Sequence, residues 1–213
     1  MSTSFRGIFP IVPTPFNDDG SLDLDSQKRV LDCMIDQGVD GLCILANYSE
    51  QFLLSDEERA ILQELCISHV NERVPVIATC SHFSTDIAVA KCQRAEEQGA
   101  AMVMMMPPYH GSLLKANDRG IYEHFEVLSN ALNIPIMIQD APLSGVTLSV
   151  PLLARIARDF PLISYFKIET PGTAEKLKAL IGAAGTHIEG PFDGEEGITL
   201  FADLEAGATG TMT

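Results

Sequence analysis

The sequence contains no tryptophan and few basic residues. Its 14 Lys and Arg against 29 Asp and Glu give a formal net charge of −15, and the basic residues are scattered rather than grouped. A nucleic-acid-binding surface or a polybasic membrane patch needs clustered positive charge, so we expect neither kind of partner. An apolar fraction of 46% also excludes a disordered chain.

Long hydrophobic segments are absent as well. The longest apolar stretch, residues 100–108, is far too short to span a bilayer, and residues 1–9 lack the apolar core of a signal peptide. The five cysteines form no C-x-x-C pair and lie in apolar stretches, which predicts reduced, buried thiols. We therefore expect a cytoplasmic protein with no membrane partner.

One pattern repeats from end to end: a short apolar run, a polar turn, then an amphipathic helix. The eight runs are residues 7–13, 41–46, 74–79, 101–106, 134–138, 163–168, 187–190 and 208–212. Most are continuously apolar, which is typical of strands covered on both faces of a parallel sheet. Seven helices are predicted between them.

This alternation favours a (β/α)8 barrel. A doubly wound sheet usually has a glycine-rich phosphate turn after its first strand, but that turn reads Thr14-Pro15-Phe16-Asn17 here. We find no P-loop and no His or Cys pair at metal-ligand spacing, so we expect neither cofactor nor metal. We predict one barrel domain over residues 1–213, incomplete at its C-terminus because no eighth helix follows; either the chain is a fragment or another chain covers the gap.

Lys167 is the strongest functional signal. It interrupts an apolar run, whereas the other five lysines lie in predicted helices or loops. Burial disfavours an ammonium relative to the neutral amine, and a neutral amine can form a Schiff base with a carbonyl substrate. The alternative is a structural ion pair with Glu169, two residues on and on the same strand face. That pair also suits catalysis, with Glu169 as acid or base.

Further polar residues follow the predicted strands, at the end of a barrel where active sites lie. Tyr109 is either a proton donor or a packed aromatic, and His82 is a possible proton donor. Glu195 and Glu196 are interpreted as a helix N-terminus. The remaining strand-end candidates are Asn47, Tyr48, Ser49, Gln139, Asp193 and Gly194.

Five motifs occur in order along the chain: residues 7–16, residues 46–50, Pro108-Tyr109, Lys167 and residues 190–194. Together they resemble the dihydrodipicolinate synthase and N-acetylneuraminate lyase family of Schiff-base barrel enzymes. The resemblance implies that Lys167 forms a Schiff base with a 2-oxo acid and that the turn Asn47-Tyr48-Ser49 binds the substrate carboxylate. It also implies a homo-oligomer, specifically a tetramer, and a C-terminal helical extension.

Several positions depart from the synthases of that family. The fifth-strand Tyr-Asn-Val-Pro reads Gln139-Asp140-Ala141-Pro142, the arginine that follows is missing, and the acid next to the lysine is moved to Glu169. This combination resembles a different branch, the 2-keto-3-deoxy-L-arabonate dehydratases. The branch implies dehydration to 2-oxoglutarate semialdehyde, with Lys167, Glu169 and Tyr109 as catalytic residues. The substrate-binding residues would be Asn47, Tyr48, Ser49, His82, Gln139, Asp193 and Gly194.

Two alternatives remain at this stage. An aldolase of the same fold would cleave its substrate to pyruvate and an aldehyde. A barrel without catalytic activity would serve as a binding or regulatory protein, because fold alone does not determine function. Burying the Lys167 amine is energetically unfavourable, so its presence without a function argues against the second alternative.

Overall fold

The computed structural model describes residues 4–110, 114–195 and 197–213, without the side chains of residues 109, 110, 114 and 115. Within these ranges the chain forms ten strands. They are β1 (Gly7–Ile8), β2 (Leu42–Ile44), β3 (Val76–Thr79), β4 (Met102–Met105), β5 (Tyr109–His110), β6 (Leu114–Lys115), β7 (Ile136–Asp140), β8 (Tyr165–Ile168), β9 (Gly190–Asp193) and β10 (Gly210–Thr211).

Seven α-helices lie between the strands in the described part of the chain, and none of them is long and apolar enough to cross a membrane. Three short 3-10 helices, Asn47–Ser49, Pro142–Ser144 and Gly185–His187, accompany them. The α-helices are α1 (Leu24–Asp36), α2 (Asp56–Val70), α3 (Thr85–Glu97), α4 (Asp118–Ala131), α5 (Val150–Asp159), α6 (Thr173–Ala184) and α7 (Leu200–Ala206).

Eight of the strands form one parallel sheet in the order β1-β10-β9-β8-β7-β4-β3-β2, while β5 and β6 form a separate antiparallel hairpin. Just after β1, Ile11 bridges to Cys43 of β2, and the Val12 amide donates to the Cys43 carbonyl at 2.8 Å. The β1 segment therefore contacts both β10 and β2, so the sheet closes on itself. The predicted barrel class is confirmed.

The seventh barrel strand lies three residues later than predicted. The sequence favoured residues 187–190, but the strand is Gly190–Asp193 and His187 ends a 3-10 helix. Proline lacks the amide hydrogen of a strand residue and is uncommon inside a sheet, yet Pro191 lies within this strand. In the structure its carbonyl still accepts a hydrogen bond from the Thr209 amide at 2.8 Å, which keeps the residue in the sheet.

The barrel has two apolar layers, because side chains alternate between the two faces of each strand. One cluster fills the ring and includes Phe9, Tyr165 and Phe192, with the Phe9 and Phe192 rings edge to face at 5.6 Å. The second, larger cluster packs the strands against the helices and includes Phe166 and Ile168. Adjacent residues of one strand thus point to different surroundings.

All five cysteines are free, as predicted. Four are buried, and burial raises the pKa of Cys43 to about 11 and that of Cys66 to about 12. The prediction of burial was wrong for Cys33, which is exposed on α1. An amphipathic helix has a solvent face as well as an apolar stripe, and Cys33 lies on that face.

His124 of α4 is a buried base. Only 2% of it is exposed, and its ring Nδ1 lies 2.9 Å from the Thr85 hydroxyl. The ring Nε2 has no hydrogen-bond partner among the described residues. Burial lowers the pKa of His124 to about 4, so the folded protein holds the ring neutral at pH 7.

We expect this histidine to make the protein sensitive to acid. The unfolded chain binds the proton near the ordinary pKa of 6.5 and the folded chain only near 4, so stability falls as pH drops through that window. When the pH falls from about 7 to about 4, the free energy of unfolding of the wild type should decrease by about 3 kcal/mol more than that of His124→Gln. Urea denaturation at both pH values measures this. His187→Gln, at an exposed position, is the control, and equal losses in wild type and His124→Gln would contradict the assignment.

Candidate active site

Lys167 lies inside the barrel on β8. Its neighbours Phe166 and Ile168 face the helices, so the alternation of the strand turns Lys167 towards the ring interior. The residue is only 4% exposed, and its Nζ forms an ion pair with the Glu169 Oε1. The expectation that the two side chains share a strand face is confirmed.

Gln139 completes this cluster from the neighbouring strand. The register of β7 and β8 sets Gln139 opposite Lys167. The fully buried Gln139 donates from Nε2 to the Glu169 Oε1 at 2.8 Å. One carboxylate oxygen therefore contacts both an ammonium and an amide donor, and both stabilise negative charge on it. We refer to these three candidate residues, Lys167, Glu169 and Gln139, as the catalytic cluster.

A cavity of about 390 Å³ opens at this cluster, at the carboxyl ends of the strands. Of the predicted residues, Asn47, Tyr48, Lys167, Glu169 and Gly194 line it. The other lining residues are Ile11, Ala46, Pro142, Leu143 and Glu195. A cavity of this kind, largely apolar with a few convergent polar groups, suits a small ligand.

A larger cavity of about 710 Å³ lies at the opposite end of the barrel, where Arg6, Asp40 and Gln98 are among its lining residues. It contains none of the candidate catalytic or substrate-binding residues that the sequence predicts. Its walls also lack the catalytic cluster, so the smaller cavity is the candidate active site. The active sites of such barrels lie at the carboxyl ends of the strands.

The turn after β2 forms one wall of the active-site cavity. Asn47 and Tyr48 face the cavity, whereas Ser49 is buried beneath them. The Ser49 hydroxyl donates to the Val12 carbonyl at 2.6 Å and accepts from the Ala46 amide at 3.1 Å. Ser49 therefore anchors the turn to the β1 segment, and the structure does not bring its side chain to the cavity.

The end of β9 forms another wall. Asp193 is fully buried, and it accepts hydrogen bonds from the Thr211 hydroxyl at 2.7 Å and the Glu195 amide at 3.0 Å. It is not a lining residue; it holds the loop that carries Gly194 and Glu195 to the cavity. The interpretation of Glu195 as a helix N-terminus was wrong, since α7 begins only at Leu200. Glu196 lies outside the described residues.

The model of the Dihydrodipicolinate synthetase family matches residues 4–213, nearly the whole chain. The chain belongs to this family. The L-2-keto-3-deoxyarabonate dehydratase of Azospirillum brasilense is 59% identical over 208 residues, which cover 98% of this chain and 67% of that protein. The 4-hydroxy-tetrahydrodipicolinate synthase of Bartonella bacilliformis is 36% identical over 173 residues, covering 81% of this chain and 58% of that protein.

Solved structures of the family have the same fold. The dihydrodipicolinate synthase of Acinetobacter baumannii, in its chloride-inhibited form complexed with pyruvate, matches with a TM-score of 0.90 and 27% identity. The match covers 98% of this chain and 70% of that one. This chain thus spans between 58% and 70% of the length of the three relatives.

The predicted binding residues that do not line the cavity include His82 and Gln139. His82 stacks on Phe83 with ring centroids 4.3 Å apart, and its Nδ1 accepts from the Ser84 amide at 2.9 Å. Burial lowers the pKa of His82, but the residue does not line the cavity. Tyr109 lies in the hairpin strand β5, and its side chain is outside the described part of the structure. Both roles stay predictions.

The described residues contain no group of three or more His, Cys, Asp or Glu side chains that could hold a metal ion. The polar side chains that line the cavity belong to Lys167, Glu169, Glu195 and the strand-two turn. Sequence reasoning missed Glu195 and the apolar wall of Pro142 and Leu143. The signal for Glu195 was its place directly after Gly194, on a loop that a barrel must direct towards its active site.

Proposed function

We propose that this chain forms a Schiff base through Lys167 and dehydrates a 2-keto-3-deoxy sugar acid. The proposed substrate is 2-keto-3-deoxy-L-arabonate, and the product is 2-oxoglutarate semialdehyde. The observation that carries the proposal is a buried lysine at a small cavity, paired with a carboxylate that Gln139 holds in place. The A. brasilense dehydratase supports the substrate, and the pyruvate complex of the A. baumannii enzyme supports a 2-oxo acid.

The reaction begins with proton transfer within the ion pair. Glu169 accepts a proton from the Lys167 ammonium, and the neutral amine attacks the C2 carbonyl carbon of the substrate. One proton from the attacking nitrogen and the proton held by Glu169 reach the former carbonyl oxygen, which leaves as water, and a protonated imine forms. The positive nitrogen withdraws electrons from the neighbouring carbon, so the C3–H bond becomes acidic.

Glu169 then acts as a base on C3 once its own proton has been passed on. Removing the C3 proton gives an enamine, whose electron pair forms the C3–C4 double bond and expels the C4 hydroxyl with a proton, as water. Tautomerisation and hydrolysis release the semialdehyde and regenerate Lys167. Gln139 keeps the carboxylate oriented through its Nε2 hydrogen bond. Tyr109 and His82 remain proposals for the second acid.

Neutral groups must bind the substrate carboxylate. Among the described residues that line the cavity, Lys167 is the one cation, and in the imine its nitrogen is bonded to C2 of the substrate. We therefore assign carboxylate binding to Asn47 and Tyr48, through amide, hydroxyl or backbone N–H donors. Ser49, Asp193 and Gly194 contribute by holding and shaping the two walls.

The test is an assay of products with 2-keto-3-deoxy-L-arabonate, followed by NMR. Dehydration yields 2-oxoglutarate semialdehyde, whereas an aldolase would yield pyruvate and glycolaldehyde. Borohydride reduction during turnover, with mass spectrometry of the peptides, should place the adduct on Lys167. If pyruvate is the product, the proposed dehydratase activity is wrong and the protein is an aldolase. If neither a product nor an adduct forms, the alternative of a binding barrel without catalytic activity is favoured.

Gly194 supports the catalytic cluster by having no side chain. A Cβ there would lie 2.5 Å from the Glu169 Cγ and 3.0 Å from the Lys167 Cε. We expect Gly194→Ala to displace Glu169 and lower kcat by about 10- to 100-fold, because small displacements of reacting groups are costly. Gly182→Ala, where a Cβ meets nothing within 4 Å, is the control. Similar kcat values for the two variants would refute the steric argument.

We also propose a homo-oligomer, a tetramer, in the cytoplasm. Exposed apolar side chains on and before α7, Ile198 and Phe201, support contact with further protein surface. Light scattering on the purified protein measures the assembly. A monomer at micromolar concentration would contradict it.

A further inference from the structure

Asp140 lies next to Gln139 on β7 but points the opposite way, towards the helices. It is fully buried, and its carboxylate forms an ion pair with Lys176 of α6, whose side chain is 14% exposed. The Leu148 amide lies 3.4 Å from the Asp140 Oδ1. Burial raises the pKa of Asp140, while the Lys176 ammonium opposes that effect. The charge of this carboxylate therefore depends on its lysine partner.

The backbone of Asp140 also connects to the catalytic cluster. Its carbonyl accepts a hydrogen bond from the Glu169 amide at 3.0 Å, and its neighbour Gln139 binds the Glu169 carboxylate. Residues 141–148 form the loop that supplies Pro142 and Leu143 to the cavity. Asp140 directly precedes this loop, and its carboxylate accepts a hydrogen bond from the Leu148 amide at the other end. Asp140 is thus connected both to Glu169 and to the loop that forms the apolar wall of the cavity.

We propose that the Asp140–Lys176 ion pair is a positioning device that fixes Gln139 and Glu169 for proton transfer. Neither residue touches the cavity, so they act through the neighbours of Asp140 in the sheet and not on the substrate. The inference rests on the proposed function, because it concerns the proton transfer assigned to Glu169. Helix α6 follows β8 directly, so the pair locks the strand that carries Lys167 to the strand that carries Gln139.

The test compares Lys176→Met with Lys178→Met, which removes the same charge from an exposed position on the same helix. We expect Lys176→Met to lower kcat with the sugar acid by at least about tenfold while KM changes by less than about threefold. Lys178→Met should stay within about twofold of the wild type. Exchange of the C3 protons of pyruvate with D2O, followed by NMR, should slow in parallel with kcat in Lys176→Met.

The variant Asp140→Asn/Lys176→Met distinguishes positioning from general damage. Because it leaves no unpaired buried charge, it should recover part of the lost kcat, by roughly fivefold over Lys176→Met. Equal kcat in Lys176→Met and Lys178→Met would overturn the proposal, and so would a loss that matches the unfolded fraction seen by circular dichroism. If the wild type neither dehydrates the sugar acid nor exchanges pyruvate protons, the proposed function fails and this inference fails with it. Wild-type activity with unchanged Lys176→Met rejects the positioning role alone.

Discussion

Lys167→Arg should abolish the reaction. Arginine keeps a positive charge beside Glu169, so the ion pair is retained, but a guanidinium does not deprotonate to a nucleophilic amine. We expect kcat to fall by at least about 10³-fold, since removing a covalent nucleophile eliminates the main catalytic route. Turnover of 2-keto-3-deoxy-L-arabonate measures the loss.

Borohydride trapping gives an independent reading of the same variant. The wild type should yield a reduced adduct on the peptide that contains Lys167, and Lys167→Arg should yield none. Lys91→Arg, at a lysine that pairs with the exposed Asp56, is the matched control and should retain both activity and adduct. An adduct on another lysine, or substantial turnover in Lys167→Arg, would remove Lys167 from the mechanism.

Glu169→Gln separates proton transfer from imine formation. Glutamine has nearly the same shape but cannot act as a base, so we expect kcat to fall by about 10²- to 10³-fold. The Lys167 adduct should still form after borohydride reduction, although more slowly. The measurement is therefore kcat together with the rate of trapping.

Glu175→Gln, at an exposed position on α6, serves as the control for Glu169→Gln. Near-wild-type turnover of Glu169→Gln would mean that another group removes the C3 proton. Tyr109 and His82 would then be the next residues to replace. A complete loss of the adduct would instead assign Glu169 mainly to activation of the lysine.

The barrel was predictable because its signal is local and repeated. Each apolar run and each helix stripe is encoded within a few residues, and Lys167 stood out against one such run. The ion pair with Glu169 followed from the two-residue period of a strand. The predicted bounds of the seventh strand and the predicted burial of every cysteine were wrong, because Pro191 lies within β9 and Cys33 faces solvent.

Contacts between distant residues were not predictable in the same way. Gln139 and Lys167 became neighbours only through the register of β7 and β8, which no short motif encodes. The Asp140–Lys176 pair joins a strand to a helix 36 positions later. Ser49 has a type and position that suit substrate binding, but its hydroxyl is used to hold the turn. Roles of this kind depend on packing across the whole ring.

Closure of the barrel has a consequence for how the protein folds. Gly7 pairs with Gly210, so the joint between β1 and β10 links residues about two hundred positions apart, and such a pairing is expected to form slowly. Until it forms, β1 and β10 each present an open strand edge. Thr211 also binds Asp193, which holds the loop of Gly194 and Glu195. Recovery of enzyme activity during refolding should therefore lag behind recovery of helical structure, because the site is assembled only when the ring is complete.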